Sequence, residues 1–269
     1  MDMKRSLAAA AMAALSTFSL AGSVFLTGHD PDFHAQLGGN AVGAQHINQR
    51  AISYIMDAAF NPYAAGGATK FLFVESSITP PGGHTDGEAG IIASGYTAGV
   101  NYERHSAADL NAELNLLGFK YGGIVVASDF GGILTQAELD ILNARKGDIV
   151  GFINSGGGLY AMAEGNGGAH LTPNGGHFQF LPFVTVAVTL DQSETGFTTT
   201  AFGQSLGLTD GDINGNASHN IFTSYGTLNV VDRDAAGDVM SVAGRGLVPE
   251  PASLLALGSA LLLLRRKQK

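Results

Sequence analysis

Three short apolar runs, Val24-Phe25-Leu26-Thr27, Phe71-Leu72-Phe73-Val74 and Ile124-Val125-Val126-Ala127, constrain this chain more than any other feature. Each is bounded by glycine, serine or charged residues and is too short for a buried helix, so the three read as strands covered on both faces. Between the first two, Val42, Ile47, Ile52, Ile55, Met56 and Phe60 recur at mostly helical intervals within Ala41 to Phe60, which predicts a crossover helix. Ser106 and Asp109 open a second helix through Leu117. Thr135, with Glu138 three residues on, forms a capping box for a third that includes Leu139 and Leu142. Helical pattern resumes from Asp148 to Asn154, stops at Gly156-Gly157-Gly158 with Ser155 as a helix C-terminal residue, and gives way to a strand over Leu159 to Met162. Strands that alternate with helices pair in parallel, because each return crossing runs through a helix. The expected fold is therefore α/β, a mostly parallel sheet with helices on both faces.

After Gly176 the texture changes. Phe183 to Leu190, Thr198 to Phe202, Leu228 to Val231 and Val239 to Val242 alternate or run apolar without long helices, the last two flanking a turn at Ala235-Ala236-Gly237-Asp238. The C-terminal part is expected to be β-rich. It is joined without a linker, so residues 22–247 read as one domain with no internal repeat. The 38 glycines follow no collagen-like period and imply many tight turns.

Both ends read as addresses. Lys4 and Arg5, the apolar run Leu7 to Leu20 and the small-x-small Ser19-Leu20-Ala21 form a signal peptide over residues 1–21, cleaved by signal peptidase after Ala21. At the other end, Val248-Pro249-Glu250-Pro251 precedes an uncharged run from Ala252 to Leu264, and Arg265-Arg266-Lys267 closes it. Those 13 residues make a helix of about 20 Å against a hydrocarbon core of ~30 Å, short for a permanent anchor. The order Pro-Glu-Pro, apolar helix, arginine cluster resembles the PEP-CTERM sorting signal of Gram-negative bacteria, over residues 248–269. The resemblance implies export across the inner membrane, transient residence there, processing by an exosortase, and a final place at the cell surface or outside the cell.

Between the two addresses there remain eight Lys and Arg against 21 Asp and Glu, a net charge of −13. The eight cations are scattered singly apart from Arg145-Lys146, which argues against a nucleic-acid partner. No cysteine is present, so disulfides, thiolate metal sites and a cysteine nucleophile are all excluded.

Val24 to Asp30, Ala127-Ser128-Asp129 and the helix leading into Gly156-Gly157-Gly158-Leu159 together resemble the class I glutamine amidotransferase-like superfamily, ThuA-like proteins among its members, over roughly residues 23 to 245. The resemblance implies a flavodoxin-like sheet. It also implies a nucleophile on a G-x-C-x-G elbow, and the matching stretch here is Ala161-Met162-Ala163-Glu164-Gly165, with Ala163 where the cysteine belongs. Amidotransferase chemistry is therefore not expected.

The remaining candidates cluster after the first strand. His29-Asp30-Pro31-Asp32-Phe33-His34 places two imidazoles and two carboxylates at the end of a sheet where α/β folds bind ligands. With Glu75, Asp129 and Glu164 after other strands and His219 later, they form a candidate pocket for a divalent cation or a polyol. The plainer alternative is that Asp30-Pro31-Asp32 forms a turn with its carboxylates on backbone N–H groups and both histidines in solvent. Asp210, Asp212, Asn214 and Asn216 match the first half of an EF-hand loop, but Ile221 stands where the bidentate glutamate belongs, leaving an Asx-rich turn as the competing reading. Two principal functions follow: a non-catalytic surface or matrix protein that binds exopolysaccharide, or a metal-assisted hydrolase using the His29 to His34 cluster. A structural partner-binding module is a third.

Overall fold

The computed structural model describes residues 22–76, 87–129, 134–163, 178–188 and 195–246. Residues 1–21, read above as a signal peptide, Glu164, and the expected sorting signal with Pro249, Glu250, Pro251, Arg265 and Arg266 lie outside the described residues.

An eight-stranded sheet forms the middle layer. In chain order the first five strands are β1 (Ser23–Thr27), β2 (Lys70–Val74), β3 (Tyr102–His105), β4 (Tyr121–Val126) and β5 (Gly158–Ala161). They lie in the order β3-β2-β4-β5-β1, and every neighbouring pair among them is parallel. The C-terminal part adds β6 (Thr185–Val188), β7 (Thr198–Thr199), β8 (Asn220–Ser224), β9 (Asn229–Arg233) and β10 (Val239–Arg245). Of these, β10, β9 and β7 extend the sheet antiparallel from β1, and β6 pairs with β8 separately.

The apolar runs are continuous because both faces of the parallel strands are covered, and the period of two sorts their side chains. Val24, Leu26, Leu72, Val74, Ile124, Val126, Leu159 and Ala161 join one core; Phe25, Phe71, Phe73, Val125, Ala127, Tyr160 and Met162 join the other. A one-residue slip of any strand would exchange its two sets, which fixes the register. β10 obeys the same rule only through a bulge: Val239 and Val242 share the first core, Met240 and Ala243 the second, and the register shifts on either side of Ser241 make the change of parity.

Nine helices are described: α1 (Pro31–His34), α2 (Ala41–Ile55), α3 (Pro62–Ala65), α4 (Gly87–Ala93), α5 (Leu110–Glu113), α6 (Gln136–Ala144), α7 (Lys146–Asn154), α8 (Ala201–Ser205) and α9 (Asp210–Ile213). Residues of α2 and α4 pack into the second core, and those of α5, α6 and α7 into the first, so helices cover both faces. The predicted capping box is present at Thr135 and Glu138, and Ser155 caps α7 at its C-terminus.

Several boundaries differ from expectation; the helix expected from Ser106 through Leu117 is α5 followed by a 3-10 turn over Leu114–Leu116. The long helix ends at Ile55, since Asp57 accepts from Phe60 N and Asn61 N and turns the chain; Val42 and Phe60 are 62% and 40% exposed and belong to neither core. Thr198 to Phe202 is only two residues of strand, because the Thr200 hydroxyl accepts from Gly203 N and starts α8. Of Phe183 to Leu190, Thr185–Val188 form strand and residues 189–190 lie outside the described set. No helix among the described residues is long and apolar enough to cross a membrane.

Candidate functional site at the carboxyl edge of the sheet

The chain moves across the sheet in one direction from β1 to β3 and in the other from β3 to β5, so the connections after β2 and β4 leave on opposite faces. The edge beyond the carboxyl ends of such strands is where open α/β sheets place ligands. Here that edge carries a layer of buried polar residues: His29, Asp30, Asp32, His34, Glu75, Asp129, His219 and Asp232. Seven of these are residues the sequence singles out.

Each is held by the backbone that ends its strand. Beyond the ladder, Ala163 N donates to His29 O and Asp129 N donates to Ala163 O, so β1, β5 and β4 stay linked one residue further. Ala163, at the expected elbow, is buried, its own φ is not in the left-handed region, and its N–H and carbonyl bond His29 O and Asp129 N. From the other side, His219 N donates to Gly28 O, which packs residues 218–220 onto the end of β1.

The charges then divide into three groups. His29 stands apart from the other two histidines: its Nδ1 lies 3.1 Å from Ala217 O and its Nε2 2.8 Å from Asp232 Oδ2. A carbonyl and a carboxylate can only accept, so both ring nitrogens carry protons and the pair is a buried imidazolium and carboxylate. Burial alone would lower the His29 pKa, but the charge and hydrogen bond of Asp232, aided by Ala217 O and Asp30, raise it above its usual value.

Asp30 is the second centre. His34 Nε2 lies 3.3 Å from its Oδ1 and His219 Nε2 3.4 Å from its Oδ2. Burial would raise its pKa, yet the two imidazoles hold it well below the usual carboxylate range.

Asp32 is the third. Its Oδ1 accepts from Phe33 N at 3.0 Å and its Oδ2 from Ser128 N at 2.8 Å. Burial pushes its pKa up to about 6 in spite of these bonds and of the Ser128 hydroxyl, and the neighbouring Asp30 charge adds to the rise. Next to it, Glu75 accepts from Gly87 N and Glu88 N and so caps α4 from a distant strand. A Cβ on Gly87 would sit 2.6 Å from Asp32 Oδ2 and 3.1 Å from Glu75 Oε1, which places the two carboxylates against one helix end.

The Asp30-Pro31-Asp32 turn thus forms as the plainer reading expects, with Asp32 on backbone N–H groups, but both histidines are buried rather than solvated. Among the described residues, which do not include Glu164, the candidate ligands do not converge on one point. His29 turns to Asp232 and His34 and His219 to Asp30, and no three of these side chains bring ligand atoms within 4.8 Å of one another; among the described residues that is met only by Glu103, His105 and Glu113. There Lys120 Nζ lies 2.6 Å from Glu103 and 3.1 Å from Glu113, so an ammonium already neutralises the carboxylates.

The EF-hand reading is also corrected. Asp210 accepts from Thr199, Asp212 from Thr209 with His46 beside it, Asn214 from Phe197 N, and Asn216 from Asn40 N. The residues form α9 and its exit, and the four side chains each serve a different partner instead of converging on a cation.

Sequence reasoning did not find Asp232, 203 residues from His29. Its one signal is a carboxylate that follows Val230 and Val231 in a strand, Asn229–Arg233, at a buried position. It also did not find Asn48, which bonds Pro31 O, Ser94 Oγ and the Tyr160 hydroxyl and ties α2 to the turn carrying Asp32.

The shifts make a prediction. A carboxyl whose folded pKa is raised stabilises the fold fully below its unfolded value of 3.8 and loses that contribution as pH rises through about 6. Resistance to urea is expected to fall between pH 4 and pH 7 by up to about 3 kcal/mol on this account, and Asp32→Asn to flatten that slope. Asp30 acts in the opposite sense, its contribution being lost as pH drops below 3.8 toward its depressed value. Denaturation curves for both proteins across this range check it; an unchanged slope in the variant refutes the assignment to Asp32.

No family model matches the chain, and a search of curated proteins returns no match.

Proposed function

We propose that the chain is an exported cell-surface or matrix protein, delivered through a PEP-CTERM and exosortase route, whose α/β domain binds a ligand without transforming it. The flavodoxin-like, amidotransferase-like affinity belongs to the same proposal, supported by a parallel sheet with helices on both faces; the order β3-β2-β4-β5-β1 departs from the flavodoxin order 2-1-3-4-5 in placing β1 beside β5.

One observation carries the non-catalytic reading. Where that superfamily keeps its nucleophile, this chain has a buried alanine whose N–H and carbonyl are both engaged in extending the sheet. Around it His29 pairs with Asp232, His34 and His219 with Asp30, and Asp32 with backbone N–H groups, which supports a polar layer that fixes a fold, although the single atom Asp232 Oδ1 has no hydrogen bond among the described residues. Exopolysaccharide remains the proposed partner, on the strength of the sorting signal.

A metal-assisted hydrolase is the rival. Mature protein purified without chelators is expected to carry no stoichiometric metal by elemental analysis, to hydrolyse no glycoside or ester substrate, and to have an intact mass that stops before Ala252. A bound zinc whose loss follows His34→Ala, or turnover that disappears in that variant, would establish the rival. A mass that retains Ala252 to Lys269 would remove the processing step.

A further inference from the structure

A cleft of about 600 Å³ opens far from the polar layer, at the end of the sheet where β1 begins and β10 ends. Its chemistry is set by helix α2, which carries two stripes. Ala44, Ile47, Asn48, Ala51, Ile52 and Ile55 face the core, whereas Arg50, Ser53 and Tyr54, continued by Asp57 just past the helix, line the cleft. The spacing of three and four residues puts the second set on one side of the helix.

Its two guanidinium groups are not equivalent. Arg245 is fully engaged: Nη2 lies 2.8 Å from Asp57, Nε donates to Ser23 Oγ at 3.1 Å, and its plane stacks 4.5 Å from the Tyr54 ring centre and 3.4 Å from that of Phe60. Arg50 is exposed and has no ion pair or hydrogen bond among the described residues. Its guanidinium lies over Gly207, where a Cβ would come within 3.0 Å of Nε and where φ is +84°. Two of the eight cations of an otherwise acidic body thus meet in one cleft, one of them unneutralised.

The rest of the lining selects among anions. Asn229 is exposed and offers a neutral donor and acceptor, the exposed Ser53 and Ser205 hydroxyls, which already bond Tyr96 and Phe202 O, can still accept, and Tyr54, Phe202 and Leu206 supply half-buried apolar surface. With Asp57 paired to Arg245, the cleft carries the single net positive charge of Arg50, which matches a monoanion rather than a dianion such as phosphate, and the volume suits a ligand larger than an ion. A monoanionic carboxylate on a hydroxylated body fits all of these.

We propose that this cleft is a saccharide site for uronate-containing chains, with one carboxylate on Arg50 and hydroxyls on Ser53, Ser205 and Asn229. The inference gives the ligand class of the binding domain proposed above and rests on that reading. Calorimetric titration of the full mature chain with trigalacturonate is expected to show binding. Arg50→Gln, or methyl esterification of the sugar, should each weaken it at least about tenfold, the scale of one lost charge-assisted hydrogen bond. Lys146→Gln removes an equal charge from an exposed residue outside the cleft and should leave binding unchanged.

Absence of binding, equal binding by Arg50→Gln, or inorganic phosphate binding as tightly through Arg50 would overturn the site. The same samples, analysed for chain cleavage, separate this from the broader reading. Cleavage of a sugar whose binding still depends on Arg50 overturns the non-catalytic function and keeps the site, whereas no binding and no cleavage overturns the site alone.

Discussion

Asp232→Ala is expected to cost the domain about 3–5 kcal/mol of stability near pH 6, among the largest effects of any single side chain here, because it leaves the His29 imidazolium buried without its counter-charge. The pH dependence identifies the cause. The His29 pKa is raised in the folded state, so its contribution is complete below the unfolded value of 6.5 and disappears as pH climbs through the higher folded value. The gap between wild type and variant should therefore be widest in mild acid and narrow in alkali. Asp232→Asn keeps an acceptor without the charge and should fall between the two. Guanidinium melts from pH 5 to pH 9 read this directly; a gap that does not change with pH, or one under about 1 kcal/mol, contradicts the buried ion pair.

Gly90→Ala is expected to cost about 3 kcal/mol or more, although alanine is the better helix former by about 1 kcal/mol. A Cβ at position 90 would overlap the carbonyl oxygen of Asp32, which is main chain and cannot swing aside, so α4 would have to withdraw from α1. Gly151→Ala provides the contrast. Gly151 lies in α7 with nothing within 4 Å of an added Cβ, so the same substitution should stabilise by up to about 1 kcal/mol. Melting temperatures that move in opposite directions support the close contact between α1 and α4. A loss in both variants points to a general intolerance of these helices.

The parts of the fold visible in the sequence are those whose local pattern and tertiary environment agree. β1, β2 and β4 are covered on both faces and therefore read as apolar runs, and α6 announces itself through Thr135 and Glu138. β3 gives no such signal: it is an edge strand, Tyr-Glu-Arg-His, with one buried residue and three that reach solvent and bond charged neighbours. Helix α4 is hidden by Gly87 and Gly90, which lower helix propensity but permit the close approach to Asp32 and Glu75. For the site, position after a strand was enough to gather His29, Asp30, Asp32, Glu75 and Asp129 at one edge. It could not say that they would pair inward, because Asp232, His219 and Ala217 arrive from the far end of the chain. The cleft at Arg50 follows a helical spacing that was legible, but its other wall, α8 and β10, required the fold.

The pairing of the first strand with the last also has a mechanical meaning. Ser23 faces Arg245 and Thr27 faces Ser241, so the chain enters β1 and leaves β10 at the same end of that ladder. Tension applied between the two flanks acts across this pair from its open end, loading one hydrogen bond at a time instead of shearing all of them together. A domain pulled by both flanks therefore opens like a zipper at this pair, starting at Ser23 and Arg245, with β1 still bonded to β5 and β10 to β9.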